Sequence, residues 1–511
     1  MLSKINSMGL VGLDGFAVEV EVDISFGIST FDIVGLADTA IKESKERVRS
    51  AIYNSGKEFP PYKLIVNLAP AGKKKEGSYY DLPIAVGILS ASKQIDCEEL
   101  DKYVFFGELS LNGEIRGVKG VLPLIISARA LGYKHFIIPE INAKEASFIE
   151  GIFVYPVKTL NQVVDFLKGE IEIEPCKVQS YSDIISSKAH ANDFMYVKGQ
   201  NTAKRAIEIA AAGGHNILLI GPPGMGKTML AKCIPSILPE LNFEEALELT
   251  KIQSIAGTLD SNTGIVVERP FRSPHHTATI PALCGGGSNS KPGEVSLADH
   301  GVLFLDELPE YTRATLESLR QPLEDRKITV SRASQTVEYP CNFMLVASMN
   351  PCPCGNYGSP NKDCRCTRSQ IHKYISKLSG PLLDRIDIQV EVDSVDYDEI
   401  TDNTLSESSE KIKERVESAR RIQNARLKSV NLSCNAEMKE RDISKYCYIS
   451  PECDEMLRVA FETLDMSVRG RSRIIKVART IADLDGREEI DPMDIAEAIS
   501  YRTLDRKYWN K

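Results

Sequence analysis

The sequence predicts an α/β core on a parallel, three-layer sheet, preceded by an α+β region and followed by an all-helical one. Three observations carry that expectation. The short apolar runs "NILLIG" (216–221), "GVLFLD" (301–306) and "FMLVASMN" (343–350) read as buried strands, and helical patterns separate them. Before residue 168, alternating runs such as "FAVEVEVDI" mix with helical stretches. After residue 393, charged helical patterns dominate.

The elements follow in order. In 1–168, "FAVEVEVDI", "KLIVNLAP", "YVFFGEL" and "HFIIPE" are strand candidates, and "IKESKERVRSAIYNSG" is a helix stopped by Gly56. Periodicity fades over 169–192, which reads as a linker. The α/β core spans 193–392, with "KTMLAKCIPSIL" as a helix and "ITVSR" and "QTVEYP" as the arms of a hairpin ahead of "FMLVASMN". Three helical stretches, from "SSEKIKERVESARRIQNARL" to "DPMDIAEAISYRTL", make up 393–511.

Bulk properties bound the function. The chain has 511 residues, enough for two to four domains, and is 42% hydrophobic, as ordinary globular proteins are. A net charge of −9 argues against a protein that coats DNA with a uniformly basic surface, though it leaves room for basic loops. No apolar run approaches a membrane span, and the N-terminus lacks the apolar core of a signal peptide, so a cytoplasmic location with reduced thiols is expected.

One motif carries chemistry by itself. Gly221, Pro222, Pro223, Gly224, Met225, Gly226, Lys227 and Thr228 spell G-x-x-x-x-G-K-[ST] between a strand and a helix. Such a loop wraps backbone N–H groups around phosphates; Lys227 reaches the β- and γ-phosphates and Thr228 holds Mg²⁺. In "GVLFLDEL", Asp306 falls at a strand's C-terminal end, where open parallel sheets place their sites. There Asp306 would contact Mg²⁺ through water and Glu307 would polarise the attacking water. Asn350, ending the next strand, is placed to orient that water. Arg385 in "GPLLDRID" and Arg469 in "SVRGRSR" are candidate stabilisers of phosphoryl charge, with surface ion pairing as the plain alternative.

"VKGQNTAKRAIEIAAAGGHNILLIGPPGMGKTMLA", "RPFRSPHHTATIPALCGGG", "LRQPLEDRKITVSRA", "NPCPCG" and "GPLLDRIDIQVEV" together resemble AAA+ ATPases of the magnesium-chelatase-like branch, and within it the YifB/ComM group. The resemblance covers essentially the whole chain. It implies Asn350 as sensor 1, Arg385 as an arginine finger reaching a neighbouring subunit's ATP, and Arg469 as sensor 2 from a helical lid. It further implies a homo-hexameric ring and, for some members, branch migration on DNA. A chelatase-like or chaperone-type remodeller of a protein partner is the alternative.

Arg326, Lys327 and Arg332, in or near the hairpin, are candidate DNA contacts, or else an ordinary charged hairpin. Cys352, Cys354, Cys364 and Cys366 form two C-x-C pairs, which fit either a closed structural Zn²⁺ site or free thiols. Adjacent His275 and His276 point to opposite faces of an extended segment and make a poor joint metal site. Finally, "FFGELSLNGEIRGVKGVLPLIISARALGYKHFIIPEIN" resembles the Lon proteolytic domain. Tyr79 and Leu122 stand where that family's Ser–Lys pair is expected, so the site reads as inactive. Lys73, Lys74 and Lys75 are a candidate phosphate-contact run or a solvated loop.

Overall fold

A computed structural model describes residues 1–185, 192–260, 262–287, 290–331, 336–358, 362–393, 405–464, 466–504 and 508. Two compact units emerge: Met1–Ser187 with Asn242–Val267, and Lys188–Leu241 with Glu268–Lys511.

The first unit is built on a seven-stranded mixed sheet. Its strands run, edge to edge, Thr30–Val34, Lys63–Ala69, Asp14–Ser25, Leu2–Val11, Tyr103–Phe105, His135–Pro139 and Phe153–Val157. Leu2–Val11 and Asp14–Ser25 form an antiparallel hairpin in which Val11 faces Asp14. The turn needs Gly12, which sits at φ +62°. The first strand was not among the sequence candidates. Its inward-facing Ser3 and Ser7 break the apolar alternation, yet both are buried, and the Ser7 hydroxyl donates to the Phe105 carbonyl at 3.0 Å. Helices Thr39–Asn54, Asp81–Ala91, Val121–Ala130 and Leu160–Leu167 pack on it, through side chains such as Ile41, Leu82, Leu124 and Val163.

The helix Phe243–Ala256 belongs to this unit although its sequence lies inside the α/β stretch. Asn242 and Glu245 start it with reciprocal side-chain-to-backbone caps, and Gly257 ends it at φ +74°. It docks by chemistry as well as shape: the Ser254 hydroxyl donates to the buried Glu145 carboxylate at 2.8 Å.

The second unit has a five-stranded, all-parallel sheet in the order Phe271–Arg272, Val302–Leu305, Met344–Met349, Ile217–Ile220, Ile388–Glu391. Every residue of the Ile217–Ile220, Val302–Leu305 and Met344–Met349 strands is buried, which explains their unbroken apolar runs. The expected hairpin is present as Lys327–Ser331 paired with Thr336–Pro340. Helices Asn201–Gly213, Ser409–Leu427, Val468–Leu484 and Pro492–Ser500 share one core with the sheet, through residues such as Ile207, Val416, Ile475 and Ile495. No helix among the described residues is long and apolar enough to cross a membrane.

Candidate active site

The second unit's parallel sheet brings three strand ends together. Ile217–Ile220 leads into the Gly221–Gly226 loop, Val302–Leu305 into Asp306 and Glu307, and Met344–Met349 into Asn350. The loop bends through Gly224 and Gly226 at φ +80° and +79°, and a Cβ on either would meet nothing within 4 Å. The backbone there is open to a close-approaching phosphate.

Lys227 is buried and its Nζ donates to three oxygens: Gly221 O at 2.6 Å, Pro222 O at 2.8 Å and Asn350 Oδ1 at 3.1 Å. Burial pulls its pKa down to about 8, against the upward pull of Asp306 and Glu307. The Thr228 hydroxyl donates to Asp306 Oδ2 at 3.0 Å, so the two oxygens expected at one Mg²⁺ already meet. Asp306 Oδ1 accepts from the Glu307 N–H at 3.1 Å and from the Ser348 hydroxyl. Glu307 sits at φ +51°, which turns its carboxylate out to solvent.

Two neighbours were not read as site residues in the sequence. Ser348 is fully buried and orients Asp306; its signal was a lone hydroxyl in the apolar run "FMLVASMN". His276 places Nδ1 3.9 Å from the Glu307 carboxylate, and its ring lies 4.0 Å from that of His275. The two histidines thus lie against each other rather than on opposite faces, because the segment turns at 276–277 and is not an extended strand.

Arg385 and Arg469 are elsewhere. Arg385 precedes the strand Ile388–Glu391 and its carbonyl accepts from the Asn216 side chain at 2.8 Å, at the beginning of Ile217–Ile220. The sheet is parallel, so Arg385 lies at the sheet end opposite the loop, about 13 Å away along a four-residue strand. A cavity of about 430 Å³ there is lined by Arg385, Arg469, Arg326, Arg473 and Glu324 among others, and by no residue of the loop or of the Asp306–Glu307 turn.

A buried network sets the two arginines beside each other. Arg473, one turn beyond Arg469 on the helix Val468–Leu484, pairs with Asp387 at 2.5 Å. His215 faces Asp387 across 3.5 Å and contacts Thr480 Oγ1 at 2.9 Å. Although burial opposes it, Arg473 and His215 hold the Asp387 carboxyl well below the usual range. Burial keeps His215 below its ordinary value.

The cysteine cluster sits directly behind Asn350. Cys352 Sγ lies 3.4 Å from Cys354 Sγ and 3.6 Å from Cys364 Sγ, Cys354 and Cys364 are also 3.6 Å apart, and Cys366 completes the group. Disulfide sulfurs would be about 2.05 Å apart. Four thiolates around a tetrahedral Zn²⁺ with Zn–S of about 2.3 Å would be about 3.8 Å apart, so the set fits zinc. Backbone N–H groups of Asn356 and Arg365 pull the Cys354 thiol down, while crowding by the neighbouring sulfurs pushes Cys364 and Cys366 up, so without a cation the four cannot all be thiolates and the fit to zinc rests on the sulfur spacing. Gly355 rests on the Gly221–Gly226 loop: a Cβ there would come 2.5 Å from Pro223 Cδ.

Family models match in three segments: "Subunit ChlI of Mg-chelatase" over 20–142, "Magnesium chelatase, subunit ChlI" over 193–400, and its C-terminal part over 406–502. Competence protein ComM of Haemophilus influenzae is 42% identical over 507 residues, covering 99% of this chain and 98% of that protein. The chain belongs to the YifB/ComM family of magnesium-chelatase-like proteins. An uncharacterized protein, YifB of Escherichia coli, is 43% identical over the same share of both chains. Lon protease 2 of Bacillus subtilis is 29% identical over 182 residues, 34% of this chain and 32% of that protein.

In this YifB/ComM family member, Tyr79 and Leu122 are buried, and the Ser78 hydroxyl donates to the Glu108 carboxylate. Lys75 is buried, its Nζ donating to backbone carbonyls of Gly35 and Pro70, so it is no surface phosphate contact. Of the hairpin cations, Arg326 donates to Asn342 Oδ1 at 2.6 Å and pairs with Glu437, inside the Arg385 cavity. Lys327 pairs across the hairpin with Glu338 at 3.1 Å. Arg332 lies outside the described residues.

Proposed function

We propose that the chain is an ATP-hydrolysing ring motor acting on branched or single-stranded DNA, by branch migration or helicase-like remodelling. The observation that carries the ATPase reading is the meeting of Lys227, Thr228, Asp306 and Asn350 at the strand ends. Gly221–Thr228 cradles the triphosphate, with Lys227 on the β- and γ-phosphates. Thr228 and Asp306 hold the Mg²⁺ that screens phosphate charge. Glu307 takes up the proton of the attacking water, and Asn350 aligns that water with the γ-phosphate.

Ring assembly is supported by where Arg385 and Arg469 lie. At the far end of the sheet from their own nucleotide loop, they serve ATP bound by a neighbouring copy. A homo-hexamer supplies that geometry at every interface. The four cysteines hold a structural Zn²⁺ behind Asn350. The region 1–168 acts in assembly or DNA contact and not in proteolysis. Reduced thiols and ATP both suit the cytoplasm.

DNA as the substrate is supported by 42% identity to a competence protein. Remodelling of a protein partner is the second reading, favoured by the magnesium-chelatase family match. Steady-state ATPase on duplex, single-stranded, forked and four-way-junction DNA, at stated salt, separates them. Stimulation by junction or single-stranded DNA is expected. A rate unmoved by every DNA but raised by a protein partner would reject the motor reading.

A further inference from the structure

Arg385 and Arg469 converge on one carboxylate. Arg385 is 7% exposed, and it pairs with Glu324 through one guanidinium nitrogen and donates to Pro381 O at 2.7 Å through another. Its remaining Nε is buried and has no hydrogen-bond partner. Arg469 reaches the other oxygen of Glu324 at 3.7 Å. The remaining cavity arginines are already claimed: Arg326 by Glu437 and Asn342, and Arg473 by Asp387. Glu324 differs from those anions. Its side chain is half exposed, whereas Glu437 and Asp387 are each about 9% exposed.

A guanidinium reads a carboxylate and a phosphate by the same fork of N–H donors. A terminal phosphate carries more charge and three oxygens, so it can satisfy both arginines and the idle Nε. Burial, together with the nearby Arg320, Arg469 and Arg473, lowers the proton affinity of Arg385.

We propose that Glu324 holds the place of the terminal phosphate of a nucleotide bound by a second copy of this chain, and must swing out before Arg385 and Arg469 engage it. Glu324 is then a positioning residue with two effects. It keeps the two arginines together in the free subunit, and it sets a threshold that an incoming nucleotide must exceed. This rests on the trans reading of Arg385 above.

Mixed subunits test it. Arg385→Ala subunits keep the nucleotide loop and lack the finger; Lys227→Ala subunits lack the loop's charge and donate the finger. ATPase is measured as Lys227→Ala donor is titrated into Arg385→Ala, and again with a Lys227→Ala/Glu324→Gln donor. The isosteric Gln removes the competing charge, so at subsaturating donor the second series should run about 3–10-fold faster. A role in folding alone predicts no gain, and an equal or lower rate overturns the proposal. Failure of the first donor at every ratio removes the trans reading itself, and is distinct because no Glu324 comparison is then involved. Calorimetry of inorganic phosphate and tripolyphosphate with the Lys227→Ala/Glu324→Gln donor separates the sources. Binding of the free anions with no gain in the mixed rings would assign the cavity to a soluble anion and overturn delivery by a second copy.

Discussion

ATP affinity should fall as pH rises from 7.5 to 9.0, and Lys227 sets the size of the fall. In the nucleotide-free site, burial holds this lysine at about 8. About three-quarters of the free protein then carries the charged form at pH 7.5, and about a tenth at pH 9.0. Bound phosphates favour the charged form, so binding above pH 8 must take up a proton. The sign follows: a lowered lysine is repaid by its anion, and affinity is greatest below the free-state value and lost above it. The apparent Kd should rise about eightfold over the interval, or about 1.2 kcal/mol. ATP itself is essentially fully ionised throughout, so its own titration adds little. Isothermal calorimetry in two buffers of different ionisation enthalpy reads the proton directly, with about half a proton taken up at pH 8. Lys227→Arg supplies the control, since arginine stays charged and should flatten the profile. A Kd constant from pH 7.5 to 9.0 with no proton uptake would refute the reasoning.

Other perturbations follow from the same contacts. Glu307→Gln should leave ATP bound while lowering kcat by about 10²–10⁴, measured by single-turnover hydrolysis; unimpaired turnover would remove Glu307 from the chemistry. Cys364→Ser should lower the zinc content read by mass spectrometry. Gly355→Ala, strained at φ +79° and driven toward Pro223, should weaken ATP binding with zinc retained. Full ATPase activity in a metal-free wild-type protein would break the link between cluster and loop. Asp387→Ala takes the anion from the partly buried Arg473 and should cost about 1–3 kcal/mol in denaturant unfolding of the second unit. The Asp387 contribution is present above its unfolded value of about 3.9 and is lost as pH falls through its lower folded one. His215, held neutral, erodes stability as pH falls below about 6.5, where the unfolded chain gains the proton. Acid should therefore unfold this unit earlier than Asp387 alone predicts.

Sequence by itself determined the glycine-rich Gly221–Thr228 loop, the strand ends carrying Asp306 and Asn350, the hairpin and the C-terminal helices. Each is written in contiguous residues, because backbone turns and buried strands impose their demands locally: glycine where φ is positive, apolar residues where both faces are covered. What only the tertiary structure decided has no such local code. Helix Phe243–Ala256 reads as part of the α/β stretch, and only tertiary contacts such as Ser254–Glu145 and the packing of Leu247 on the first core assign it to the first unit. Strand Leu2–Val11 hid behind two buried serines, one of which, Ser7, finds its partner far away in Phe105. Nothing near Arg385 in sequence says that a parallel sheet sets it opposite the Gly221–Thr228 loop, or that Arg469 and Glu324 meet it there. Charged and polar groups accept any partner of suitable sign and geometry, so their pairing is decided by where packing brings the chain, not by the residues beside them.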